Sequence, residues 1–338
     1  MNKSNNNEIK KHIILFKNNP NIKYKFDITQ VETSIGLEIF EVFTSYIDNN
    51  LYLASQDFKL FNINIISLIN NKKILFLKGH QTSISTIRYF NNNKNNSEYL
   101  ISADKNKKVI IWEINKNYNI KYQINTKFKG RIYSCLLIFP HNINDNLIIV
   151  SSSGPDTPRI YNFDNGKMIK GINNKSSIYC LLSWYNSKKN EYYIIQISYA
   201  AIRISNLKDK EYAVLSQKPE DIHYSGFIFN KDDNDYLCCS SNNGYINIWD
   251  LYNKKIFKTI IINKSRLMKI IQWNKKYFIV SDLENKSIKI IDYEQNKVIS
   301  DIKMNNCKVQ DFRKIFHPVY RESLLISTSD NKIKLWCL

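Results

Sequence analysis

Glycine is scarce in this chain, with 8 among 338 residues, where average usage near 7% supplies about 24. Tight turns must then come from another residue. Asparagine is abundant and tolerates positive φ better than most side chains, so Asn242-Asn-Gly244, Asp330-Asn331 and Glu284-Asn285 are the candidate hairpin turns. Long hydrophobic runs are missing as well. Stretches such as 147–150 and 260–262 fall far short of the roughly 18 apolar residues that cross a bilayer, so no membrane span is expected. The apolar stretch 13–16 is too short for a secretory signal core of about 7 to 15 residues, which makes the cytoplasm the expected compartment and the nucleus the alternative. The six cysteines, at 135, 180, 238, 239, 307 and 337, contain no Cys-x-x-Cys. That spacing suits buried reduced thiols better than a zinc site or a disulfide framework.

The usual signatures of chemistry are absent too. There is no Gly-x-x-x-x-Gly-Lys-Ser/Thr loop, no Gly-x-Ser-x-Gly elbow and no His-Glu-x-x-His pair. The histidines at 12, 80, 141, 223 and 317 are dispersed and start no zinc site; His80 is expected to hydrogen-bond inside its own structural unit. The reading assigns no catalytic residue, no cofactor and no metal, and expects no small-molecule substrate. Arginine is also rare: seven residues, outnumbered about sixfold by lysine. The chain carries 49 basic and 30 acidic residues, net +19, which favours acidic partners. Nucleic-acid surfaces draw on arginine for bidentate phosphate and base contacts. A solvated lysine-rich surface is therefore the first reading, and RNA association the second.

What the chain does contain is a repeat. With 43% hydrophobic and 13% aromatic residues it has the make-up of a folded protein, and a short alternating stretch recurs seven times. It reads Phe58-Lys-Leu-Phe-Asn-Ile63, Val109-Ile-Ile-Trp-Glu-Ile114, Pro158-Arg-Ile-Tyr-Asn-Phe163, Ile202-Arg-Ile-Ser-Asn-Leu207, Ile246-Asn-Ile-Trp-Asp-Leu251, Ile288-Lys-Ile-Ile-Asp-Tyr293 and Ile333-Lys-Leu-Trp-Cys-Leu338, with anchors at 61, 112, 161, 205, 249, 291 and 336. A second marker, an apolar segment ending at Phe43, Phe90, Phe139, Trp184, Phe229, Trp273 or Phe316, precedes each anchor in phase. Between the two lies an apolar run, such as 99–103 or 236–240. Each unit thus predicts short strands with period-2 patterning, four per unit once the segment after the anchor is counted.

Gly79-His80, Leu100-Ile-Ser102-Ala and Trp112-Glu113 together resemble a WD40 repeat, and Trp249-Asp250, Ser327-Thr-Ser-Asp330 and Trp336 repeat parts of it. The resemblance extends over nearly the whole chain. It implies an all-β, seven-bladed WD40-type β-propeller of four-stranded antiparallel blades spanning 22–338 after an N-terminal arm, 1–21, with 22–35 supplying a closing strand and its connection. The structural repeat residues are His80, Ser102, Trp112, Trp249, Asp250, Asp330 and Trp336. No blade reads as holding the family's complete His, Ser/Thr, Asp and Trp set, because Asn106 stands where the turn Asp is usual. The last unit ends at its third strand, so Lys23 to Ile28 is expected to pair with the strand ending at Trp336.

The resemblance also implies a non-catalytic scaffold for protein–protein interaction within a multiprotein complex. Its contact face would gather residues at the start of each innermost strand: Ser83, Arg131, Tyr133, Ser177, Tyr179, Arg266, Met268, Lys308 and Gln310. Arg131, Arg266 and Lys308 make that mouth positive and suited to an acidic peptide segment.

Overall fold

The computed structural model describes residues 23–30 and 40–337 apart from 58–59, 71, 93–95, 139–145, 155, 175, 200, 209, 217–219, 305, 320 and 330–331. The N-terminal arm, Phe139 and Asp330 lie outside the described residues. Seven sheets of four antiparallel strands account for every strand described, and the one helical element among the described residues is a single 3-10 turn, Ile114–Lys116. None of its helices is long and apolar enough to cross a membrane. Blades 1 to 7 begin with the inner strands Phe40–Thr44, Ile84–Asn92, Ile132–Ile138, Ile178–Asn186, His223–Lys231, Leu267–Gln272 and Val309–His317. Each inner strand touches that of the next blade, and the strand of blade 7 touches that of blade 1, so the seven sheets form a ring.

The reason for the ring is visible in the burial of single strands. Leu147–Ser152 and Ser287–Asp292 are buried at every position, as strands covered on both faces must be. Outer strands such as Lys255–Ile261 are mostly exposed. A blade therefore carries apolar side chains on both faces and can bury them only against two neighbours. Apolar clusters accordingly sit between blades rather than within them. One joins Ile111 of blade 2 to Ile148 of blade 3, another joins Trp249 of blade 5 to Trp184 of blade 4, and Phe40, Ile315 and Leu335 fill the junction of blades 1 and 7. Cys238 and Cys239 fall in clusters on opposite faces of their blade, as alternation along a strand requires. Burial pushes both thiols up.

The first repeat needs a correction. The third strand of blade 1 is Ile63–Ser67, whereas Phe61 lies in the preceding loop with φ of 55°. The partner of Leu53 is Ile66, matching Leu100 opposite Trp112 in blade 2, so Ile66 and not Phe61 is the anchor. Both 58–63 and 63–68 alternate in hydrophobicity. The turn decides between them, with Asp57 donating its N–H to the Asn62 carbonyl at 2.7 Å and accepting from the N–H of Leu60 at 3.2 Å.

Turn chemistry is shared more widely than expected. Among the described residues, positive φ falls on six asparagines, including Asn117 and Asn190, but also on four lysines, among them Lys107 and Lys286. In the turn after Asp282 it is Lys286, not Asn285, that takes it, while Asn285 uses its side chain to hold Asp282 at 2.8 Å. Gly244 is required where it stands. Its φ is 80°, and a Cβ there would lie 2.1 Å from the Asn263 carbonyl oxygen.

Strand Lys23–Gln30 lies antiparallel against Lys332–Cys337, pairing Tyr24 with Trp336, as the fourth strand of the blade 7 sheet.

Candidate functional site

All inner strands start at the same end of the ring, and two local devices shape what they present there. The first is a pin. The carbonyl of the residue before or beginning the strand accepts an N–H from the turn between the blade's second and third strands: Ser83 from Lys105 at 2.9 Å, Arg131 from Ser153 at 2.7 Å, Ser177 from Tyr199 at 2.9 Å, Arg266 from Leu283 at 3.0 Å and Lys308 from Ser329 at 2.9 Å. The second is a bulge. Register shifts fall between 84 and 86, 132 and 134, 178 and 180, 223 and 225, 267 and 270, and 309 and 311. A bulge leaves its extra residue unpaired and turns its side chain out of the sheet's alternation. The residues so freed include Ser85, Tyr133, Tyr179, Tyr224, Met268 and Gln310.

Three of these form an arc. The rings of Tyr133 and Tyr179 stack with centroids 5.7 Å apart, those of Tyr179 and Tyr224 lie 5.1 Å apart, and the Arg266 guanidinium sits 6.0 Å from the Tyr224 ring. Burial, followed by the neighbouring tyrosines, pushes the Tyr179 hydroxyl up to about 12. On blades 6, 7 and 1 the wall is ionic instead. Lys269 Nζ lies 3.4 Å from Asp311 Oδ1, Arg313 Nη1 lies 2.5 Å from the same oxygen, and Arg313 Nε lies 3.4 Å from Glu41 Oε1.

The expected contact residues divide accordingly. Arg131, Arg266 and Lys308 are exposed and none of them forms an ion pair among the described residues. Tyr133, Tyr179, Ser177, Met268 and Gln310 are half-buried at the mouth, with Ser177 donating its hydroxyl to the Ser153 carbonyl and Gln310 Oε1 buried without a partner. Ser83 is buried. Tyr224 and Glu41 were missed. Tyr224 was recoverable, since it stands in blade 5 where Tyr179 stands in blade 4. Glu41 was hidden by the shift in the first repeat.

The structural repeat residues give a second correction. Blade 2 does hold the complete four-residue set, with Asp104 rather than position 106 supplying the carboxylate. His80 Nδ1 lies 2.9 Å from Asp104 Oδ2, His80 Nε2 lies 2.7 Å from Ser102 Oγ, and Trp112 Nε1 donates to Ser102 Oγ at 2.9 Å. One proton arrangement satisfies every atom: the indole donates to the serine hydroxyl, the hydroxyl donates to Nε2, and Nδ1–H donates to the carboxylate. The order matches a serine–histidine–aspartate relay. Yet Ser102 is wholly buried and its oxygen already accepts from an indole, so the arrangement ties strands together and faces no substrate.

Other blades keep the positions and change the groups. In blade 4 Asn174 donates to Gln196 at 3.1 Å and Gln196 to Ser205 at 3.5 Å, an amide chain at the His, Ser and Trp positions. In blade 5 Cys239 replaces the serine, and Trp249 Nε1 has no partner, its ring packing instead against His223 at 5.3 Å. Asp250 accepts the N–H groups of Tyr252 and Asn253, each at 2.9 Å, and so closes its turn. Trp336 packs into the cluster between blades 6 and 7.

Comparison with known proteins agrees with this geometry. The family model described as WD domain, G-beta repeat matches residues 71–113, the blade with the complete set. No curated relative matches in sequence. Among solved structures, Raptor from Chaetomium thermophilum superposes with a TM-score of 0.68 at 15% identity, covering 97% of this chain and 30% of that one. The computationally designed Ika8 protein superposes with a TM-score of 0.61 at 14% identity, covering 86% of this chain and 81% of its own. At such identities the likeness is one of fold.

Proposed function

The chain is a WD40-repeat β-propeller, and from that premise we propose that it works as a non-catalytic scaffold in the cytoplasm, joining protein partners within a larger complex. The observation that carries this reading is the channel mouth, where Arg131, Arg266 and Lys308 stand exposed without carboxylate partners beside the arc of Tyr133, Tyr179 and Tyr224. Tyrosine and arginine are the side chains that interfaces favour, because each offers a large flat area at small entropic cost and a polar end. The cations select an acidic segment, and the rings bury its apolar or backbone faces. Rigid strands hold these groups in place before any partner arrives, which reduces the ordering cost of binding.

Replacing Arg131→Glu together with Arg266→Glu reverses the field at the mouth without disturbing buried groups. Pull-down from cell extract followed by mass spectrometry should then lose partners that the unaltered protein retains. An identical partner set from both proteins would remove the mouth as the contact site.

A further inference from the structure

The opposite end of the ring carries a different arrangement. The turns 187–190 of blade 4 and 251–254 of blade 5 follow a first and a third strand, so they lie at the end away from the mouth. At this seam Lys188 Nζ sits 3.8 Å from the Tyr252 ring centroid, Lys189 Nζ 4.8 Å from the Tyr212 centroid and Lys254 Nζ 4.1 Å from the same centroid. The two rings flank Trp184, at 5.6 and 5.5 Å.

Among the described residues, the lysines over rings elsewhere each have a carboxylate. Lys73 pairs with Asp57 at 3.5 Å, Lys121 with Glu113 at 3.6 Å, Lys231 with Glu294 at 2.9 Å, Lys276 with Asp292 at 3.3 Å and Lys314 with Glu322 at 2.8 Å. Among the described residues, Lys188, Lys189 and Lys254 have no ion pair. Among the described residues the nearby acids take hydrogen bonds from neutral donors, and Lys189 acts on Glu191 as a nearby charge without pairing with it. Asp235 accepts from Trp184 Nε1 and from the Tyr252 hydroxyl, each at 2.9 Å, and Glu191 accepts from Tyr193 at 2.6 Å and Asn206 at 2.8 Å. Three cations thus converge on one seam, none of them ion-paired among the described residues, on a ground of aromatic rings. The Tyr212 and Tyr252 rings are only half-buried beside these lysines.

We propose that this seam binds the backbone of single-stranded RNA. Lysine is a point charge that meets phosphate without reading bases, and the half-buried Tyr212 and Tyr252 rings beside it offer a face to a base of any identity. Binding is therefore independent of sequence and separate from the peptide-binding mouth. Its failure would leave the proposal for the mouth untouched.

The test is fluorescence anisotropy of a labelled twelve-residue oligouridylate with the full-length protein at 50 and 200 mM salt. The expected result is binding at 50 mM salt that weakens about tenfold with Lys188→Glu plus Lys254→Glu, with a salt slope shallower by about 1.4, near 0.7 per lost phosphate contact on a single strand. Lys188→Arg plus Lys254→Arg should keep the affinity, and Arg131→Glu plus Arg266→Glu should leave it unchanged. No binding at 50 mM salt, or equal affinity before and after charge reversal at the seam, would overturn the proposal. So would binding to phosphatidylserine vesicles that falls with the seam variant while RNA is not bound, since the surface would then be a membrane site.

Discussion

Arg313 in the last blade donates from Nη2 to the carbonyl oxygen of Phe40 in the first, 3.3 Å away across 273 positions of the chain. Its guanidinium also joins Asp311 to Glu41, 2.5 and 3.4 Å away, and lies 5.4 Å from the Phe40 ring. Nearby, His317 donates from Nε2 to the carbonyl of Leu68 at 2.8 Å while its Nδ1 accepts from Val319 at 3.1 Å. The junction where the ring meets itself is thus fastened by directed polar contacts as well as by an apolar cluster.

Replacing Arg313→Met keeps the length of the side chain and removes its charge. Glu41, 12% exposed at its side chain, then loses its ion-pair partner, while the fully buried Asp311 keeps Lys269 at 3.4 Å, so the cost should be about 1 to 3 kcal/mol. Urea denaturation should show a lower midpoint with an unchanged slope. A loss under about 0.5 kcal/mol, the size of an ordinary surface substitution, would mean that the apolar cluster alone holds the junction.

Ser102→Ala removes the one oxygen shared by His80 and Trp112. Two buried polar groups are left without partners, at about 1 to 3 kcal/mol each, and thermal unfolding should register the sum. Cys239→Ser in blade 5 is the mirror experiment: the new hydroxyl meets the unpartnered Trp249 N–H, and the expected change runs from neutral to about 1 kcal/mol of stabilisation.

His223 stands where the other blades place Ile84, Ile132, Ile178, Leu267 and Val309. Burial pushes its imidazole down from 6.5 to about 4. The unfolded chain therefore binds the proton more readily, so stability is complete above pH 6.5 and is lost as pH falls toward 4, by about 3 kcal/mol from this residue. His223→Ile should flatten that part of the stability profile. Equal acid sensitivity in both proteins would assign it to other groups.

Deleting residues 1–30 removes the strand that pairs with Lys332–Cys337 and opens a sheet edge in blade 7. The unfolding temperature should drop sharply, or the protein should aggregate. An unchanged melting curve would mean that the ring is held without that strand.

The count of blades and the order of their strands were legible from the chain because alternation is a local property. The unbroken apolar run 147–150 announces a strand covered on both faces wherever it lies. Phase was less secure: 58–63 and 63–68 alternate equally well, and only the turn at Asp57 separates them. The four-residue set of blade 2 was misread for a similar reason, as Asn106 drew attention from Asp104, whose carboxylate the fold brings to 2.9 Å from His80.

By itself, then, the sequence determined a repeating strand pattern that can bury its two-faced apolar character only by stacking side by side until the ring is complete. The tertiary structure alone decided which bulged residues meet at the mouth, which indole N–H goes without a partner, and which lysines lie over rings with no ion pair among the described residues. Those are relations between blades some 40 residues apart. They depend on register, on bulges and on side-chain direction, and none of these is carried by the identity of any one residue.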